Sequence, residues 1–140
     1  MKLILTQNWA FIAFHNTRDK NHSNALKLIR KAASGEFGIL YTSDYIFDES
    51  VTTALIRTNN PSLALRVGEM ILGGSKILPF IMMLGVSSEI FSESWRIFIK
   101  YVAKGLSFTD CTSIALIKSR GIENIMSFDS DFDGLVQRIS

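Results

Sequence analysis

The fold class predicted for this chain is α/β: three layers, with a short parallel sheet of four to five strands covered by helices on both faces. Three observations carry that prediction. Short, continuously apolar runs (LILT, FGILY, FIMMLGV and NIMSF) recur along the chain without polar alternation, as expected of strands buried on both faces. Between them lie longer segments with apolar residues at helical spacing. Glycine, proline, serine and threonine stand at the junctions, where helices start and stop.

Taken in order, LILT reads as a buried strand, and a helical turn follows through Phe14. HSNALKLIRKAA places Ala25, Leu28, Ile29 and Ala32 on one helical face, and Gly35 closes it. FGILY is the second strand. Thr42 or Ser43 can cap the helix after it, with Asp44 well placed in the first turn, and this helix runs to about Thr58. Pro61 suits the first turn of SLALRVGEMIL, which Gly73 and Gly74 end, and Pro79 marks the next boundary. FIMMLGV is the third strand. A long helix is expected over residues 88–103, with Trp95, Phe98, Ile99 and Val102 facing inward. Thr109 starts another helix that ends near Arg120, with Gly121 as its stop. NIMSF is the fourth strand and LVQRI a candidate fifth.

Composition bounds the function classes. The chain has 140 residues, enough for one domain (1–140) with its own core, and its 47% apolar and 20% charged content excludes a disordered chain. The lone Cys111 excludes an internal disulfide, and no Cys/His spacing resembles a zinc site. No apolar run reaches membrane-spanning length, so a soluble, cytoplasmic protein is expected. Net charge is only +2, but it is unevenly spread: five bases and one acid lie between Arg18 and Lys31, whereas residues 32–56 hold four acids and no Lys or Arg. Lys20, Lys27 and Lys31 share a helix face, which reads as a solvated row, with phosphate contact as the alternative. His15 and His22 sit in or beside polar loop sequence and read as surface histidines. Met70, Met82, Met83, Phe91 and Trp95 fit a filled core better than an exposed dimer face.

Three acids stand at the edges of apolar runs: Glu49, Asp110 and Asp129. Glu49 is rotated away from the solvated stripe of Asp44, Asp48 and Thr52 and borders the buried face, where an unpaired carboxylate is costly; an exposed helical glutamate is the alternative. Asp110 shares a stripe with Ser113, Ile114 and Ile117. It could be a first-turn acid favoured by the helix dipole, although Thr109 can cap and leave it free. Asp129 follows the fourth strand, where ligands bind in parallel sheets; turn chemistry alone also explains it, and Asp131 is the reserve candidate. Carboxylates gathered from distant segments suggest a site for a hard cation.

The phrases YTSDYIFDE, GLSFTDCTSIALIKSRGI and SFDSDF, together with the early FIAFHNTRDKNHSNALKLI, resemble PIN domains, specifically the small VapC-like toxins of toxin–antitoxin pairs. The likeness covers essentially the whole chain. It implies an α/β/α sandwich and a ribonuclease that hydrolyses RNA phosphodiester bonds, using Mg²⁺ or Mn²⁺ held by four acids. Carried over position by position, the second, third and fourth acids fall on Glu49, Asp110 and Asp129, both as metal ligands and as catalytic residues, with Thr109 or Ser127 in support. The first should fall at Thr6 or Gln7, and neither is a carboxylate; Gln7 or Asn8 could offer an amide carbonyl oxygen instead. The same resemblance implies an RNA substrate, a small antitoxin and a homodimer. Two other readings follow from the missing acid and from the generality of the layer architecture. One is a PIN domain that has lost catalysis and serves as a binding or assembly module, the other a hydrolase of small phosphate esters.

Overall fold

The computed structural model describes residues 3–73 and 81–140; Gly74, Pro79 and Phe80, which figure in the sequence reading, lie outside them. Five parallel strands form one sheet in the order β3-β2-β1-β4-β5. They are β1 (Leu3–Thr6), β2 (Ile39–Ser43), β3 (Ile81–Leu84), β4 (Asn124–Met126) and β5 (Gln137–Ile139). LVQRI thus supplies an edge strand. The second strand begins at Ile39, later than FGILY suggests, because Gly38 has φ 88°, outside the extended region. β1 is the innermost strand, and Ile4 and Leu5 have no exposure. The chain leaves β1 toward β2 and leaves β4 toward β5, so strand order reverses where β1 and β4 lie side by side, with Thr6 opposite Met126. The crevice outside the carboxyl ends of such a strand pair is where open α/β sheets bind ligands.

Six helices cover the sheet: α1 (Asn8–His15), α2 (His22–Ala33), α3 (Asp44–Thr58), α4 (Pro61–Ile71), α5 (Ser88–Tyr101) and α6 (Phe108–Arg120). Ala25, Leu28, Ile29 and Ala32 form the buried face of α2, as their spacing predicts. Ser43 caps α3 by accepting from the Ile46 N–H at 3.1 Å, and Asn60 with Pro61 starts α4. α6 begins one residue earlier than expected, at Phe108. Its cap is Ser107, not Thr109: Ser107 Oγ accepts from the Asp110 N–H, and Asp110 reaches back to the Ser107 N–H at 2.9 Å. Ser-x-x-Asp closes two helix-end donors with two side chains, which a single threonine cannot do. α6 is buried continuously from Cys111 to Ile117 and is the most enclosed of the helices.

The inward face expected of α5 is corrected by the packing. Ser94 and Ile97 are buried, and Ile90, Phe98 and Tyr101 pack against the core, whereas Trp95, Ile99 and Val102 are more than half exposed. α5 carries two apolar stripes at helical spacing, and α6 covers only one. Periodicity detects a stripe; it does not say which body covers it. Val102 begins a short 3-10 turn, Val102–Lys104, that closes on Gly105. The core reading of the methionine and aromatic group holds for Met70 alone: it is buried, while Met82, Met83, Phe91 and Trp95 are exposed. No helix among the described residues is long and apolar enough to cross a membrane.

Candidate functional site

Glu49 and Asp110 come from different helices that pack together, Glu49 from the second turn of α3 and Asp110 from the first turn of α6. Both are half-buried. Burial pushes the Glu49 carboxyl above its ordinary value, Asp110 and Asp48 add repulsion, and a hydrogen bond to the Thr109 side chain pulls the other way. Asp44 and Asp48 lie on the exposed face, so the sequence separated Glu49 from them correctly. Burial likewise raises Asp110, and Asp129 and Asp131 raise it further, against the lowering effect of its hydrogen bonds with Ser107. Repulsion therefore runs from Glu49 through Asp110 to the loop acids. Among the described residues the ion pairs are Arg96–Glu93 and Arg138–Asp133, and neither involves Glu49, Asp110, Asp129 or Asp131.

Asp129 lies in the loop after β4 and is exposed. Its Oδ1 accepts from the Asp131 N–H at 2.9 Å, so Asp129 caps a short 3-10 turn, Ser130–Phe132, that brings Asp131 back toward Asp110. Ser127 Oγ fixes the loop from below, accepting from the Asp129 N–H at 3.0 Å and from Trp9 Nε1 at 3.3 Å, while Trp9 stacks on Phe128. Arg138 approaches from β5, donating to the Ser127 carbonyl at 3.2 Å.

The end of β1 contributes residues that the acid pattern alone does not reveal. Gln7 is buried, and its Nε2 donates to Ser113 Oγ at 2.7 Å, joining β1 to α6. Ser113 Oγ in turn donates to the Thr109 carbonyl at 3.2 Å, next to Asp110. Thr6 has no exposure, and its Oγ1 is the one buried side-chain oxygen or nitrogen without a hydrogen-bond partner among the described residues. A buried hydroxyl left in this state carries a desolvation cost. The signal was present in the sequence as two polar residues, Thr6 and Gln7, ending an apolar run. His15 and His22 are partly enclosed rather than free surface groups: His22 Nδ1 lies 2.7 Å from the Ala13 carbonyl, and His15 Nε2 lies 3.3 Å from Met70 Sδ.

Chemically, Glu49 and Asp110 are half-buried anions outside any ion pair, and Asp129 is an exposed one within reach of the Arg138 charge. Among the described residues no three His, Cys, Asp or Glu side chains converge into a ready-made metal cage. The donors suit a hard, largely hydrated cation held by one or two carboxylates, with waters and a substrate phosphate completing its shell.

The family model for the PIN domain matches residues 10–136 of the 140. The match begins four residues beyond the end of β1, past Thr6 and Gln7. The chain is 24% identical over 132 residues to the 23S rRNA-specific endonuclease VapC20 of Mycobacterium tuberculosis, covering 94% of this chain and 92% of that protein. The crystal structure of M. tuberculosis VapC20, described as a Sarcin-Ricin loop cleaving toxin, superposes with a TM-score of 0.76 at 24% identity and 92% coverage of both chains. VapBC2 from Rickettsia felis, bound to a DNA fragment from its promoter, has the same fold at 10% identity, with a TM-score of 0.65 and 98% and 97% coverage. From its α1 helix through the loop that precedes its last strand, this chain belongs to the PIN domain family.

Proposed function

We propose that this protein is a metal-dependent endoribonuclease of the VapC-like toxin type, acting in the cytoplasm as one PIN domain on a structured RNA. The observation that carries this reading is the approach of Glu49 to Asp110 beside the β1/β4 crevice, both carboxyls raised and neither in an ion pair. Glu49, Asp110 and Asp129 would hold Mg²⁺ or Mn²⁺, with Asp131 assisting. The ion would neutralise charge on the scissile phosphate and lower the pKa of a water at the site. The chain's own residues do the positioning. Ser107 and Asp110 lock one another through the capping box, which leaves one Asp110 oxygen for the cleft. Thr109 orients Glu49, and Ser127 with Trp9 anchors the loop that carries Asp129.

Two partners belong to this reading. The exposed Phe91, Trp95, Ile99 and Val102 on and after α5 support a second copy of the chain as a homodimer partner. The VapBC likeness in fold supports a small antitoxin as the other. The test is cleavage of labelled RNA containing a 23S rRNA stem-loop with MgCl₂ or MnCl₂, in the parent and in Glu49→Gln and Asp110→Asn. Cleavage by the parent and its loss in both variants is expected. The lack of a carboxylate at Thr6 or Gln7, where the resemblance puts the family's first acid, specifically favours a second reading: a PIN domain that binds RNA or protein without cutting. Metal-dependent binding without cleavage by the parent would select it.

A further inference from the structure

At the opposite end of the helices from the acids, the chain has a cleft of about 550 Å³ formed where α1 ends, α3 ends and α4 begins. Arg18, Arg57 and Arg66 line it, with His15, Thr58 and Asn60. None of the three guanidiniums forms an ion pair with a carboxylate among the described residues. Among the described residues, Arg66 Nη1 donates to Ser62 Oγ at 3.2 Å, and Arg18 donates to Asn16 Oδ1 through its backbone N–H. Two acids lie close in sequence, Asp19 beside Arg18 and Glu69 one helical turn after Arg66; neither is in an ion pair with an arginine among the described residues, and Asp19 accepts from the Asn21 N–H. Burial and then the Arg66 charge hold the His15 imidazole below its ordinary value, so the positive field reaches the wall of the cleft.

Three arginines lining one concavity, with no carboxylate paired to them among the described residues, suit a multivalent oxyanion. The first turn of α4 borders the same space, but Pro61 has no N–H and Asn60 Oδ1 already accepts from the Leu63 N–H, so the arginines supply the charge. The alternative explanation, a C-terminal dipole partner, accounts for Arg57 in the last turn of α3 but not for Arg18 or Arg66. We propose that this cleft is a phosphate-binding site, separate from the acidic site, in which Arg18, Arg57 and Arg66 grip a phosphate group.

Glu49 and Arg57 are eight residues apart on α3, an axial separation of roughly 12 Å. A short stretch of RNA backbone can span that distance, so a phosphodiester of the substrate is one source of the group; this arm rests on the ribonuclease reading. Free phosphate is the other source. The separation of charge, with acids at the crevice and arginines at the far end, suits a polyanion gripped away from the site where its own charge is least welcome.

The experiment compares the parent with Arg57→Gln/Arg66→Gln, both exposed positions, in a Glu49→Gln background with EDTA so that nothing is cut. Inorganic phosphate binding is followed by calorimetry, and binding of a labelled RNA stem-loop by anisotropy across a salt series. The RNA arm is supported if the double variant loses about tenfold or more in affinity and its log–log salt slope becomes shallower by about one. If phosphate binds the parent and not the variant while RNA binding is unchanged, the site stands and its ligand is free phosphate. If the parent binds neither more tightly than the double variant does, the proposal is overturned. A failure of the ribonuclease reading shows up separately, as absence of cleavage by the unmutated protein with metal present.

Discussion

Replacing Thr6 by Asp tests the site where it departs most from a full set of acids. Thr6 has no exposure, and its hydroxyl is unpartnered, at the carboxyl end of β1 in the crevice it shares with β4. A carboxylate there is buried without a cation. Removing the partner from a buried charge pair costs about 3–5 kcal/mol, and partial protonation brings the expected penalty to about 3 kcal/mol. For a chain of this length that lowers Tm by roughly 10 °C in EDTA. If the new carboxylate joins Glu49 and Asp110, divalent cation must return most of that loss: at a hundredfold excess over Kd, binding restores about 2.7 kcal/mol. Thermal melts with graded MgCl₂ or MnCl₂ measure both numbers. The parent should show a smaller metal-dependent rise, and Thr6→Asp a larger one starting from a lower baseline. Thr6→Val is the control, since it deletes an unpaired hydroxyl at nearly constant shape and should leave stability equal or raise it by about 1 kcal/mol. A Thr6→Asp protein that is destabilised but gains no response to metal refutes the assignment of Thr6 to the missing acid's position.

The raised Glu49 and Asp110 carboxyls bind protons more tightly in the folded chain than in the unfolded one, so stability falls as pH rises from the ordinary carboxylate range through their folded values. In EDTA, Glu49→Gln should therefore flatten the acid side of the Tm–pH profile and raise Tm by about 1–3 °C at neutral pH, a figure kept small because Glu49 is partly exposed; a fall in Tm would count against the repulsion. Ser107→Ala removes half of the capping box and should cost about 1 kcal/mol in denaturant melts. It should also slow RNA cleavage with RNA affinity retained, because Asp110 loses its orientation. Cys111 is fully buried, and its thiol is pushed up from 9.0 to about 11. Its native alkylation at pH 8 should be on the order of 100-fold slower than in denaturant, and labelling at equal rates would show that α6 is open in solution.

The sheet and the helix order were legible because each rests on a local pattern with one physical meaning. Ala25, Leu28, Ile29 and Ala32 have the spacing of one buried helical face, and Thr42 or Ser43 before Asp44 marks a helix start, which Ser43 supplies. What escaped depended on partners. Trp95, Ile99 and Val102 have the same spacing as a buried stripe, yet α6 takes the other side of α5, and only tertiary packing decides between two apolar faces of one helix. The two histidines look like loop residues until Ala13 and Met70 close over them.

Asp110 shows how a residue can be singled out from sequence while its local hydrogen bonding is misassigned. Thr109 does not cap the helix, and Asp110 is itself half of the cap. The two roles do not compete. Capping uses Asp110 Oδ2, and the hydrogen bonds that lower its pKa only partly offset the burial and the loop acids that raise it. The cap therefore holds a carboxylate at a fixed angle in surroundings that make its charge unfavourable, beside Glu49 in the same condition. A structural acid would have been given a cation partner or full exposure. Glu49 and Asp110 have neither, and a cation bound between them, as the proposed metal site requires, would relieve both.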